Sequence, residues 1–205
     1  DYPVYSEYNP FDTDEEFLDK INEINAIRIS GMIYSPIEKL GINIKEEYGE
    51  IICNAEKIIG TQIHLDFPSV GATENIILAA CLAEGTTILT NAAKEPEIED
   101  LVKFLNKAGA KISGSGTDKI EILGVRRLSE ISYNIMPDRI EAGTYLVAGA
   151  ITGGKVKITN ANPAHIEPIL DKLEEANCIL EIGKNYVQIK APKRIKAVDI
   201  KTMPY

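Results

Sequence analysis

The sequence predicts an α/β fold built from a repeated βαβαββ unit. Three observations predict it. Strand-like and helix-like apolar patterns alternate along the chain. A proline-bearing elbow occurs twice, as Phe67-Pro68-Ser69-Val70-Gly71-Ala72 and as Met136-Pro137-Asp138-Arg139-Ile140-Glu141. Each elbow opens an apolar run that ends on a glycine and leads into a second strand. Pro68 and Pro137 lie 69 residues apart, as do Gly85 and Gly154. A repeat of this size is one supersecondary unit that buries its apolar face against its copies.

In the first complete unit, Thr61–Phe67 alternates, with Ile63, Leu65 and Phe67 on one face, and reads as a strand. Ser69 caps a helix through about Ala83, and Gly85 ends it. Thr86–Ala92 is the second strand. Pro96 starts a second helix, with Ile98, Leu101, Val102 and Leu105 at helical spacing, and Gly109 stops it. Lys111–Ser115 and Lys119–Gly124 form a hairpin turned at Gly116-Thr117-Asp118.

Residues 131–192 repeat this order. Tyr133–Met136 reads as the first strand, Asp138–Thr152 as the first helix and Lys155–Ala161 as the second strand. Ile166, Ile169, Leu170 and Leu173 stripe the second helix, and Cys178–Ile182 with Tyr186–Lys190 closes the unit. The first helices are apolar all round over Ile76–Ala83 and Tyr145–Ile151, which predicts interior helices lying side by side. Partial copies flank the two units. Leu40–Ile44 and Glu50–Cys53 read as the closing hairpin of an earlier unit, and Val198–Met203 as the first strand of a later one. The expected organisation is an acidic extension over 1–25, a partial unit over 26–60, units over 61–130 and 131–192, and a first strand over 193–205.

The 205 residues are 44% hydrophobic and 26% charged, ordinary values for a soluble globular chain. No apolar run is long enough for a membrane span, and Asp1–Tyr5 has no basic-then-apolar leader pattern. Residues 1–25 hold eight acids and one base, so −7 of the net −9 sits there. No basic stripe exists for nucleic acid. Within this extension Thr13-Asp14-Glu15-Glu16 is a capping box, which predicts a short amphipathic helix. Cys53, Cys81 and Cys178 are far apart, without a CxxC or a Cys/His cluster. They read as small hydrophobes in a reducing cytosol, and no metal site or cofactor is expected. His64 and His165 read as surface groups.

Three places can carry chemistry. Ser69-Val70-Gly71 opens a helix directly after a strand. Its free backbone N–H groups suit a phosphate, although capping and packing account for the same residues. Asp138 and Glu141 form a capping box at the equivalent elbow, and a carboxylate there can alternatively face a ligand hydroxyl. Glu95 and Glu97 flank Pro96 at the start of the second helix, where the dipole favours acids. The second unit has Asn162-Pro163-Ala164-His165 instead, so paired acids are particular to the first.

At Leu65–Asn75 the sequence Leu-Asp-Phe-Pro-Ser-Val-Gly-Ala-Thr-Glu-Asn resembles the UDP-N-acetylglucosamine 1-carboxyvinyltransferase family of enolpyruvyl transferases. Ala93–Ile98, Phe104–Ala110, Met136–Thr144 and Lys196–Tyr205 extend the resemblance, which runs from about Leu40 to Tyr205. The resemblance implies an inside-out α/β barrel, three units per globular domain, here two full units plus partial ones. It implies that Ser69, Val70 and Gly71 line the uridine-diphosphate end of a sugar nucleotide. It implies that Asp138, Glu95 and Glu97 are catalytic carboxylates. The reaction would join a hydroxyl of UDP-N-acetylglucosamine to phosphoenolpyruvate in cytoplasmic peptidoglycan precursor synthesis, without a cofactor, nucleic-acid partner or membrane. The shikimate-pathway transferase shares the fold but lacks the Phe-Pro-Ser-Val-Gly-Ala-Thr-Glu-Asn string.

The departures are specific. The family's reactive cysteine lies in a Gly-Gly-Cys-Ala-Ile-Gly loop followed by Arg-Pro-Ile-Asp. Here Ser30–Glu38 is shorter and holds neither Cys nor Arg. The family's Lys-Asn pair, its Pro-Gly-Phe-Pro-Thr-Asp segment and its later arginines are also absent. The expectation is a fragment or degenerate relative, inactive alone, whose partner would be the missing half of the enzyme. The alternative is a non-catalytic sugar-nucleotide or protein-binding module on the same fold.

Overall fold

The computed structural model of the chain describes residues 34–48, 50–202 and 205. The expected helix after Thr13 lies outside them. The chain divides into two compact units at Ile131/Ser132, and each is described by itself.

The first unit begins with α1 (Ser35–Glu38) and the hairpin β1 (Asn43–Glu47) and β2 (Glu50–Asn54). It continues through β3 (Gln62–His64), α2 (Val70–Ala80), β4 (Thr86–Thr90), α3 (Pro96–Lys107), β5 (Lys111–Ser113) and β6 (Lys119–Leu123). The sheet order is β3-β4-β6-β5, with β3 parallel to β4 and the other pairs antiparallel. Ile120 and Ile122 of β6 and Leu89 of β4 are fully buried against Ile76 and Ile77 of α2 and Ile98 of α3. Each such side chain contributes about 1.5–3 kcal/mol by burial.

The second unit holds α4 (Arg139–Ile151), β7 (Lys155–Thr159), a 3-10 turn (Pro163–His165), α5 (Glu167–Glu175), β8 (Ile179–Ile182) and β9 (Tyr186–Lys190). Its sheet order is β7-β9-β8. Val187 and Ile189 of β9 pack on Leu146 of α4 and on Leu170 and Leu173 of α5.

Two expected strands are absent among the described residues. Tyr133–Met136 carries no strand, nor do residues 198–202. Ile63 and Leu65, which anchor β3 inside, have Ser132 and Asn134 as their counterparts. Without an apolar anchor the segment leaves Ile135 81% exposed and adds nothing to the core. The side-by-side packing expected of the two first helices would lie between the units, and within its own unit each helix is only partly buried. Leu78 of α2 and Leu82 just after it are exposed, and so are Val147 and Ile151 of α4 at the equivalent positions. Each unit covers one face of its helix. Cys81 and Cys178 are buried as expected, but Cys53 is exposed on β2. His64 is exposed and bonded to Thr90 Oγ1, whereas His165 is half-buried beside Asn162.

The repeat is legible in backbone detail. Gly41, Gly109 and Asn177 end the second helix of three successive copies, all with positive φ (+88°, +105° and +67°). The residue before each of them accepts the same returning hydrogen bond: Ile59 N to Leu40 O, Ser129 N to Ala108 O and Lys196 N to Ala176 O. A left-handed residue at this position lets the last helical carbonyls find partners. A side chain at Gly109 would meet no atom within 4 Å, so its replacement tests backbone strain alone. Gly109→Ala is expected to cost about 1–2 kcal/mol in urea unfolding, and Asn177→Gly to cost nothing.

Candidate functional site

In the first unit, Ser69 has extended backbone (φ −80°, ψ 126°) and its Oγ accepts from Ala72 N at 3.3 Å. Its carbonyl accepts from Thr73 N. Ser69, Val70 and Gly71 are half-buried, so the first turn of α2 reaches the surface. Proline at 68 and the short β3 ladder fix the direction in which the chain enters the helix.

The loop before α3 is tied to the same helix. The buried Thr73 Oγ1 accepts from Ala93 N at 3.0 Å. Asn91, left-handed at φ +55°, donates its Nδ2 to Leu65 O at 2.7 Å. These bonds hold Glu95 at the N-terminus of α3. Glu95 occupies the cap position yet makes no capping hydrogen bond. It is only 8% exposed, and its Oε2 has no hydrogen-bond partner. The contrast with the other copy is informative. There Asn162 caps the corresponding turn, accepting from Ala164 N. A buried carboxylate oxygen left without a protein partner costs free energy. Glu97 follows one residue after Pro96 and is half-buried. A third acid, Glu74 of α2, joins them. Burial, then the Glu97 and Glu95 charges, push its carboxyl above the usual range. Sequence reading passed over Glu74; its position one turn after the elbow, beside a tethered acidic loop, was the available signal.

In the second unit, Asp138 (φ −72°, ψ 112°) caps α4. Its Oδ1 accepts from Ile140 N at 2.8 Å and Glu141 N at 2.9 Å. Both capping bonds use one oxygen, which leaves Oδ2 available to a ligand. Asp138 lines a cleft of about 370 Å³ together with Glu141, Tyr145, Lys157, Thr159 and Asn160. Lys157 is its cation. The Lys157 Nζ stands 3.9 Å above the Tyr186 ring, and the Tyr186 hydroxyl donates to Glu181 Oε1 at 2.8 Å. Gln188 donates to the other oxygen of Glu181. Glu181, Gln188 and Lys157 face one another across β8, β9 and β7. Period-two alternation in those three strands was enough to group these side chains.

The two elbow sites belong to different units. Among the described residues no group of three or more His, Cys, Asp or Glu side chains could hold a metal ion. No helix among them is long and apolar enough to cross a membrane. Burial pushes the Cys81 thiol up to about 11, so that thiol is not a nucleophile near neutral pH.

Comparisons with known proteins bear on both elbows. Over 170 residues the chain is 54% identical to UDP-N-acetylglucosamine 1-carboxyvinyltransferase 2 of Caldanaerobacter subterraneus subsp. tengcongensis, covering 82% of this chain and 41% of that one. Over 166 residues it is 51% identical to UDP-N-acetylglucosamine 1-carboxyvinyltransferase 1 of Carboxydothermus hydrogenoformans, covering 81% and 40%. The chain thus spans about two fifths of the length of these curated relatives. Among solved structures, the enolpyruvyl transferase NikO from Streptomyces tendae matches with a TM-score of 0.72 at 20% identity, over 83% of this chain and 44% of that one. The EPSP synthase from Acinetobacter baumannii matches at 0.57 and 21% identity, over 83% and 41%. These two likenesses show the inside-out α/β fold. Residues 30–205 match the EPSP synthase (3-phosphoshikimate 1-carboxyvinyltransferase) family, and the chain belongs to that family of enolpyruvyl transferases.

Proposed function

We propose that the chain is part of a UDP-N-acetylglucosamine 1-carboxyvinyltransferase. The reaction adds a sugar hydroxyl to phosphoenolpyruvate and expels phosphate, in the cytoplasm, as a step in building peptidoglycan. The observation that carries the reading is Glu95, a buried carboxylate with an unpartnered oxygen at a cap position it does not cap. Such a group is unfavourable for folding, and a carboxylate held in this way is suited to taking up or giving a proton. Glu97 stands beside it as a second carboxylate. Asp138 contributes its free Oδ2 to a hydroxyl. The first turn of α2, with Ser69, Val70 and Gly71, offers backbone N–H groups to the diphosphate. Relatives about half identical to this chain bear the name of this activity, which supports the reading.

The carboxylates alone do not complete the reaction. Two phosphorylated substrates demand a cationic clamp, and Lys157 is the cation lining the Asp138 cleft. Phosphate release from phosphoenolpyruvate with UDP-N-acetylglucosamine is therefore expected to equal the blank for this chain alone. Turnover that co-purifies with the chain and disappears in Asp138→Ala would refute this.

UDP-N-acetylglucosamine is expected to bind with millimolar affinity. A helix N-terminus gives an anion about 0.3–2 kcal/mol, far below the roughly 8 kcal/mol of a micromolar complex. In an NMR titration the Val70 and Gly71 amides should move first, and Gly71→Val should abolish the shifts. Micromolar binding that survives this substitution would place the nucleotide elsewhere.

Glu74 supplies a pH test. A carboxyl raised in the folded state is protonated by folding, so its effect is neutral well below the usual carboxylate range. It becomes destabilising as pH rises through that range. Glu74→Gln should be more stable than the parent at pH 7 and equal to it near pH 3, measured by urea unfolding. An equal gain at both values would remove the charge explanation.

A further inference from the structure

The sheets of the two units present different outward faces. In the second unit Lys155 of β7 pairs directly with Lys190 of β9, and Lys157 pairs with Gln188. Directly opposed residues of an antiparallel pair lie on one face, and so do residues two apart on one strand. Lys155, Lys157 and Lys190 therefore share the face turned away from α4 and α5, because Val156, Ile158, Val187 and Ile189 between them pack on the helices. All three lysines are exposed. The same three places in the first unit hold Thr86, Ile88 and Leu123, none of them charged.

Like charges directly opposite each other on a sheet are destabilising. Among the described residues none of these three lysines is in an ion pair. Glu181, the acid on that face of β8, is turned to other partners: its Oε1 accepts from the Tyr186 hydroxyl and its Oε2 from Gln188. Lysines on an edge strand discourage pairing with other chains, which suits Lys155 and Lys157 of β7. Lys190 lies on β9, the central strand of the sheet, and has no edge to protect. Lys157 is also held in place. Its Nζ stands over the Tyr186 ring. That ring is fixed through its hydroxyl and lies against Gly183, where a Cβ would collide with it.

We propose that this face binds a small ligand carrying two adjacent phosphate groups. Directly opposed residues such as Lys155 and Lys190 stand about 5 Å apart at Cα, and Lys157 follows about 7 Å from Lys155 along β7. Flexible lysine side chains at these spacings can close their ammonium groups around one compact anion. A phosphate group carries about −1.5 to −2 charges at neutral pH. One phosphate leaves part of the patch unmatched, and two together match it. The chain as a whole carries −9. A long polyanion would meet that charge beyond the patch, which favours a small ligand. Lys157 also lines the Asp138 cleft, whereas Lys155 and Lys190 do not. Replacing those two therefore leaves the elbow intact, and the site stands or falls apart from the catalytic reading.

The full 205-residue chain tests it. Inorganic pyrophosphate is titrated at constant, low ionic strength and read by amide NMR shifts, with inorganic phosphate as the comparison. Pyrophosphate should move the amides of residues 155–157 and 188–190 and bind at least about fivefold more tightly than phosphate. Lys155→Thr combined with Lys190→Gln should weaken that binding at least about tenfold. Both positions are exposed, and the double variant should unfold at the same urea concentration as the parent or a higher one, because it relieves the opposed charges. Any pyrophosphate shift of Val70 and Gly71 should persist in the double variant, so a failure at the α2 elbow and a failure here are separate results. Equal affinity for pyrophosphate and phosphate would overturn the proposal. So would a double variant that binds as tightly as the parent, or shifts centred on residues 86–88 and 121–123. Binding to phosphatidylglycerol vesicles with none to pyrophosphate would assign the face to a membrane and overturn it too.

Discussion

The antiparallel pairing of β4 with β6, and of β7 with β9, is the interaction on which the rest depends. It makes the last hairpin strand the centre of its sheet, buried on its inward face and bonded along both edges. That strand then supplies Ile120 and Ile122, or Val187 and Ile189, as the floor on which both helices rest. The elbow that starts each first helix is held from below by this floor. The β1–β2 hairpin shows the same sequence pattern without that pairing among the described residues. Its counterpart side chains face water. Apolar pattern alone therefore does not make a core; the second strand must be present to close the edge.

Capping and chemistry compete for the same side chains at both elbows. Ser69 and Asp138 satisfy helix N–H groups, each contribution being about 1 kcal/mol. Asp138 does so through one oxygen, so its second oxygen is a chemical resource that costs the fold nothing. Glu95 has taken the other course. It sits where a cap belongs, its side chain caps no N–H, and it stays buried. The copy in the second unit uses Asn162 for capping and has no buried acid. The two copies of one turn thus differ: Asn162 caps it in the second unit, and Glu95 occupies it without a side-chain cap in the first.

Like charges reinforce that reading. Glu74, Glu95 and Glu97 converge from α2 and from the loop before α3, and the Glu74 carboxyl is raised first by burial and then by the Glu97 and Glu95 charges. The tethers that force the convergence are neutral and specific: Thr73 to Ala93 and Asn91 to Leu65. In the second unit the charges alternate instead. Lys157 rests on the Tyr186 ring beside Asp138 and Glu141, and Glu181 anchors that ring by its hydroxyl. One cleft is therefore mixed in sign and the other cluster purely acidic, on two copies of one backbone.

The sequence by itself determined the repeat, the alternation of strands and helices, both capped elbows and the family. These are local or periodic properties: Ser69 and Asp138 cap because of their own short side chains, and Gly109 ends a helix because of its own backbone. Tertiary structure decided which patterned segments found partners. Tyr133–Met136 alternates like a strand, yet Ser132 and Asn134 give it nothing to bury. Ile51 and Cys53 have the right pattern, and among the described residues β2 pairs with β1 alone. Tertiary structure also decided the chemistry of the carboxylates. Glu74 and Glu95 are 21 residues apart in the chain, and only the packing of α2 against the loop before α3 brings the Glu95 charge to bear on the Glu74 carboxyl. Burial and charge coupling are sums over neighbours brought together from distant positions, so no window of sequence contains them.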